Sequence, residues 1–72
     1  MKQNLANRLS KRVRSLRKEY DLTQEELAGR AQISLKYIQR IEGKNPPDLG
    51  LEALQKLADG FGIPLSRLIK FD

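Results

Sequence analysis

Apolar residues recur along this chain at intervals of three and four. Leu5, Leu9, Val13, Leu16 and Tyr20 form the first series, with Lys and Arg filling the positions between them. That spacing lines one face of an α-helix and predicts a helix over 5–19, capped by Asn4 and ended at Tyr20-Asp21. Met1 to Asn4 are polar and are expected to be a flexible N-terminus, which leaves 5–70 as the folded domain. Thr23-Gln24-Glu25-Glu26 is a strong helix start, because Thr23 can cap and Glu26 can reach back to the cap amide. Leu22 before the cap and Leu27 at the fourth helical position make the pattern of a hydrophobic staple. This second helix is predicted over 24–30, with Leu27, Ala28 and Ala31 as a small inner face.

After the short link Gln32-Ile33, Ser34 is the next N-cap, and Ile38 and Ile41 set the inner side of a third helix over 35–42. Gly43 is expected to end it in the usual C-terminal role, and Asn45-Pro46-Pro47 cannot continue it. Asp48 is read as the cap of a fourth helix over 50–60, whose apolar series is Leu51, Leu54, Leu57, Ala58 and Phe61. Gly60 inside it should weaken it by roughly 1 kcal/mol relative to Ala. Gly62 is the expected stop. Ile63-Pro64 then opens a last helix over 65–70 carrying Leu65, Leu68, Ile69 and Phe71. No alternating strand pattern, repeat or long linker interrupts this series, so the predicted fold class is all-α, five short helices around one core.

Composition narrows the chemistry. The chain has 72 residues, enough for a single core, with neither cysteine nor histidine. Zinc fingers, cysteine-ligated clusters, thiol nucleophiles and histidine bases are excluded together, and no Asp/Glu order resembles a calcium loop. No metal, no cofactor and no catalytic residue is expected. The absence of a 20-residue apolar run argues against a membrane span, and a soluble cytoplasmic protein is the default expectation. The net charge of +5 is unevenly spread. Residues 1–18 carry seven basic side chains (Lys2, Arg8, Lys11, Arg12, Arg14, Arg17, Lys18) and no acidic one. A positive N-terminal part beside a near-neutral remainder suggests a surface facing a polyanion, although ordinary solubility charge has the same composition.

Two short helices joined by a tight turn, 24–30 and 35–42, are the central unit. The major groove admits an α-helix, but a helix of about eight residues needs a scaffold to hold its shape. Leu27, Ala28, Ile33, Ile38 and Ile41 can supply that lock, leaving the outer face of 35–42 free. The segment TQEELAGRAQISLKYIQRIEG, from Thr23 to Gly43, resembles the helix-turn-helix of the phage repressor and Cro family of transcriptional regulators, the Xre-like class. The likeness continues through GKNPPDLGLEALQKLADGFGIPLSRL and spans roughly residues 5–69. Three positions depart from the family pattern. Gln32 stands where a turn Gly is usual, Glu42 and Gly43 adjoin without an intervening residue, and Pro64 replaces a common Ser cap.

The resemblance implies a compact five-helix, lambda-repressor-like DNA-binding domain. It implies a sequence-specific double-stranded DNA-binding transcriptional regulator, a repressor before an activator, with helix 35–42 in the major groove of a palindromic operator. Leu35, Lys36, Gln39 and Arg40 are the implied base readers, in keeping with the hydrogen-bonding and methyl-packing options of those side chains. For Leu35 intramolecular packing stays open, and for Lys36 and Arg40 a phosphate contact or a solvated charge. Gln24, Arg17, Tyr37, Lys44 and Asn45 are the implied backbone or rim contacts, with Tyr37 alternatively buried against the first helix. Arg17 and Glu42 are the implied structural ion pair. A homodimer is expected, with Leu65, Leu68, Ile69 and Phe71 as its candidate contact, unless those groups close the monomer's own core. The alternative reading is an antitoxin-like protein with a further protein partner, or a helical interaction module in which DNA binding is secondary or absent.

Overall fold

The computed structural model describes residues 4–71, so the expectation for Met1 to Gln3 lies outside the described residues. Five helices follow one another: α1 (Leu5–Glu19), α2 (Gln24–Ala31), α3 (Leu35–Ile41), α4 (Leu51–Phe61) and α5 (Leu65–Leu68). No strand occurs among the described residues. Side-chain caps start the first three helices. Asn4 accepts from the Ala6 amide at 2.7 Å, and Ser34 accepts from the Tyr37 amide at 3.1 Å. At Thr23 the reciprocal pair is complete: Glu26 N–H donates to Thr23 Oγ1 at 3.0 Å, and Thr23 N–H donates to Glu26 Oε1 at 2.8 Å.

Three helices end by one device. Asp21, Gln32 and Gly62 each take a left-handed conformation, with φ of 56°, 56° and 71°. The next residue in each case is apolar and sends its amide back into the helix: Leu22 to Arg17, Ile33 to Ala28 and Ile63 to Ala58. These are Schellman-type ends, in which the apolar residue folds onto the core as the last carbonyls are satisfied. Gln32 thus takes the left-handed turn where the family pattern has Gly, at a cost of about 1–2 kcal/mol for a side chain there.

Leu16, Leu27, Ile38, Ile41, Leu57, Leu68 and Val13 are fully buried at the centre, and α2 packs most extensively on α4. Gly60 explains that closeness. A Cβ at this position would stand 2.9 Å from the Ala31 Cβ and 3.0 Å from its backbone nitrogen. The residue that weakens α4 as an isolated helix is the one that lets α2 cross it.

Several expectations are corrected. Leu5 and Leu51 carry the apolar period but are 66% and 78% exposed, since a helical apolar period does not by itself say how far the neighbouring elements reach. Asp48 does not cap α4; Gly50 holds the cap position without a side-chain hydrogen bond, and α4 runs 51–61 instead of 50–60. Helix α3 stops at Ile41, and Gly43 is not its left-handed terminator, since Glu42 is the cap in a right-handed conformation. Helix α5 ends at Leu68 instead of residue 70. Leu68 is fully buried and Leu65 half-buried within the monomer, so the expected dimer patch is split; Ile69 is 43% exposed and Phe71 half-buried.

The Gly60 contact sets a prediction. Gly60→Ala should lower stability by about 1–3 kcal/mol through overpacking, outweighing the helix propensity gained. Gly29→Ala, an exposed α2 position with nothing within 4 Å of the added Cβ, should raise it by about 1 kcal/mol. Urea unfolding of the two variants beside the parent chain measures both signs.

Candidate nucleic-acid interface

Helix α3 has two sides with different chemistry. Ile38 and Ile41 are inserted in the core, while Lys36, Gln39 and Arg40 are exposed on the opposite side. Leu35 is half-buried at the first turn and packs partly against the core, keeping one edge outward. Tyr37 is half-buried and lines a groove with Gln32, Ile33 and Ser34 and with Glu52, Ala53 and Lys56 of α4. The Arg40 guanidinium lies 5.8 Å from the centroid of the Tyr37 ring, which biases Arg40 along the outer face of its helix.

The C-terminal end of α3 is fixed from three directions, all through Glu42. Arg17 Nε donates to Glu42 Oε2 at 2.8 Å, and Arg17 Nη2 donates to Oε1 at 3.0 Å. The Gln24 amide donates to the same Oε1 at 3.2 Å, and Arg14 Nη2 donates to the Glu42 carbonyl at 2.6 Å. A third Arg17 donor, Nη1, goes to the Leu22 carbonyl at 3.0 Å. The Glu42 side chain is 4% exposed and that of Arg17 17%, so the paired charges sit in a largely dry environment. Hydrogen bonding to Glu42 holds the Arg17 guanidinium above its ordinary pKa; burial opposes this, and the charge of Glu42 adds to it. A raised cationic pKa stabilises the fold fully below the unfolded value and is lost only as pH climbs through the folded one. For arginine this leaves the contribution constant across neutral and mildly alkaline pH.

These contacts reassign much of the basic N-terminal run. Arg12 donates to the carbonyls of Arg67 at 2.7 Å and Leu68 at 3.2 Å, capping the end of α5. Arg14 caps α3, Arg17 pairs with Glu42, and the Arg8 guanidinium sits 4.8 Å from the Phe71 ring centroid. Four arginines counted toward a polyanion-facing surface are therefore internal fasteners. The sequence carries no direct signal for Arg12 and Arg14, whose partners lie 28 or more residues away. Lys11, Lys18, Arg30, Lys36, Arg40 and Lys44 are left exposed, with Asn45 beside Lys44 in the loop after α3. Gln24 is half-buried with its amide nitrogen on Glu42, which orients its carbonyl oxygen as well. No group of three or more potential metal-ligating side chains occurs among the described residues. Among those residues no helix is long and apolar enough to cross a membrane.

Breaking the Glu42 cluster from one side has a defined consequence. Glu42→Ala strands the Arg17 charge and should cost about 3 kcal/mol in denaturant unfolding. The double variant Arg17→Met, Glu42→Leu removes both charges and should recover most of that loss. Equal destabilisation by the single and double variants would contradict the pairing.

The helix-turn-helix domain family matches this chain over residues 10–70. The HTH-type transcriptional regulator DdrOP3 of Deinococcus deserti is 41% identical over 64 residues, covering 88% of this chain and 48% of the relative. The chain thus spans about half the length of that regulator. The restriction-modification controller protein C.Esp1396I, in a structure bound to a 19 base pair DNA duplex, superposes with a TM-score of 0.83 at 26% identity, over 92% of this chain and 87% of the other. The controller protein C.AhdI from Aeromonas hydrophila gives a TM-score of 0.80 at 27% identity, over 88% and 94% of the two chains. With α2, the Gln32-Ile33 turn and α3 arranged as described, the chain belongs to the helix-turn-helix domain family.

Proposed function

We propose that this chain is a sequence-specific double-stranded DNA-binding transcriptional regulator, a repressor, that places α3 in the major groove of a palindromic operator as a homodimer. The observation that carries the reading is the two-sided α3, with Ile38 and Ile41 anchored in the core and Lys36, Gln39 and Arg40 presented outward. Lys36 and Arg40 can donate to guanine O6 and N7, Gln39 can pair with adenine, and the outward edge of Leu35 can meet a thymine methyl. The exposed Lys44 and Asn45 follow α3 in the chain and serve phosphate contacts beside the groove. Gln24, at the first turn of α2, offers its carbonyl and helix N-terminus at the rim, while Tyr37 serves chiefly to set the inclination of Arg40. The similarity to a named transcriptional regulator and to a controller protein solved on duplex DNA supports the same reading. Occupying an operator is sufficient for repression and requires no catalytic group, so no enzymatic role is assigned.

Selection of bound duplexes from a random pool, repeated at several salt concentrations, tests the proposal. A recovered palindrome with affinity falling steeply in salt is expected, and equal binding to every duplex would overturn it. Against the selected site, Lys36→Ala or Arg40→Ala should cost about 1–3 kcal/mol and relax preference at one base position.

Salt also separates the two kinds of basic residue. Lys44→Ala should reduce the slope of log affinity against log salt by about 0.9 per protomer. Arg14→Ala, removing an internal cap, should weaken binding while leaving that slope unchanged. Competitive titration between 50 and 200 mM salt, on the order of the range where such slopes are measured, distinguishes them.

A further inference from the structure

Helix α3 is joined to the body of the protein largely by way of α2. Among the described residues its backbone lies closer to α2 than to any other helix, and α2 in turn lies closest on α4. The N-terminal end of α2 is fixed by the reciprocal Thr23–Glu26 cap and by the Gln24 amide on Glu42 Oε1. Its C-terminal end is Ala31, 2% exposed, and Ala31 rests on the buried Gly60 of α4. A Cβ at Gly60 would stand 2.9 Å from the Ala31 Cβ, 3.0 Å from its nitrogen and 3.1 Å from its Cα. Two of these are backbone atoms, so no rotamer change relieves the collision and α2 itself has to move. Carbon atoms pack at about 3.5–4.0 Å, which makes the required displacement on the order of 0.5–1 Å.

The route from Ala31 to α3 is short. Gln32 turns left-handed, Ile33 returns its amide to the Ala28 carbonyl at 3.0 Å, and Ser34 caps α3 on the Tyr37 amide at 3.1 Å. Each of these contacts ties an α2 atom or an α3 atom to the turn, so a shift of Ala31 passes to Leu35 and Lys36. The other end of α3 is held from α1, where Arg17 and Arg14 grip Glu42. Moving one end while the other stays fixed tilts α3 and turns its outer side.

We propose, resting on the DNA-binding reading above, that Gly60 is a positioning residue for base reading: its missing Cβ seats the end of α2 and thereby sets the tilt of α3. The residue is buried and acts only through α2. Hydrogen bonds to base edges require side chains placed within about 0.5 Å, a tolerance that the displacement above consumes. Phosphate contacts from long, mobile lysines carry no sequence information and tolerate more. A side chain at Gly60 therefore erodes discrimination between duplexes before it erodes attraction to DNA in general.

A role in stability alone forecasts something else. An unfolded fraction lowers the apparent affinity for every duplex by the same factor, so the ratio of affinities for two duplexes does not depend on stability. Competition binding to a selected duplex and to a random duplex of equal length, at one salt concentration, reads that ratio. Gly29→Ala, exposed and clear of neighbours, is carried in every chain to offset lost stability, and thermal melts establish which variants are folded. Gly60→Ala should lower the ratio about tenfold, on the order of one good base contact. Ala31→Ser crowds the same contact from the α2 side and should shift the ratio in the same direction. Asn4→Ala removes the α1 cap, destabilises the chain at a distance from α2, and should keep the parent ratio. In the free protein, amide NMR shifts from Gln32 to Lys36 should move in Gly60→Ala and hold in Asn4→Ala. A parent ratio in whichever of Gly60→Ala and Ala31→Ser is folded would overturn the positioning role, as would an equal fall in Asn4→Ala. A parent chain that binds selected and random duplexes alike would refute the DNA-binding reading itself, a separate result.

Discussion

Three helices meet on the Glu42 carboxylate, and α3 has its direction because of that meeting. Helix α3 is seven residues long, too short to persist as a helix in water. Ser34 holds its first turn, Ile38 and Ile41 hold its inner side, and Arg17, Gln24 and Arg14 hold its last residue. Each contact taken alone is modest. Together they fix both ends and one face, leaving only the outer side of α3 free to respond to a ligand. A buried ion pair is a poor source of net stability, because desolvation offsets attraction. Its contribution here is directional: a bidentate arginine fixes the plane of the carboxylate that also receives the Gln24 amide, while Arg14 holds the Glu42 carbonyl where the chain leaves α3.

The two kinds of cation divide the remaining work. Arginines on α1 turn inward, where a forked guanidinium can satisfy carbonyls at helix ends and lie against an aromatic ring. Arg12 closes α5, Arg14 closes α3, Arg17 joins α1 to α3 and the α2 approach, and Arg8 covers Phe71. Lysines at positions 11, 18, 36 and 44 stay on the surface, with Arg30 and Arg40, as mobile charges suited to a phosphate lattice. Net charge alone overstates the surface available to a polyanion. What counts is which cations the fold has already used.

Much of this architecture is legible in the residues because caps and apolar period are local signals. Asn4, Thr23 with Glu26, and Ser34 mark helix starts through contacts two or three residues long, and the structure uses each of them. The outward set on α3 is also legible once Ile38 and Ile41 are recognised as its inner side. Tertiary reach is what a single sequence conceals. Apolar period names a helix face without saying how far the neighbouring helix extends, so Leu5 and Leu51 look like core residues and are exposed. Gly60 looks like a flaw until α2 is laid across it, and Asp48 looks like a cap until the chain from Asp48 to Gly50 runs on and places Gly50 there. The long arginine side chains reach carbonyls as many as 56 positions away, a pairing that no local pattern encodes.

On the proposed function, the outer side of α3 meets DNA while the rest of the monomer stays as it is. Backbone and side-chain NMR shifts, titrated with a selected duplex, address it residue by residue. The largest changes are expected at Leu35, Lys36, Gln39, Arg40 and Lys44, with Val13, Leu57 and Leu68 in the core almost unmoved. Changes confined to the exposed Leu5, Leu51 and Ile69, or spread evenly with α3 silent, would contradict it.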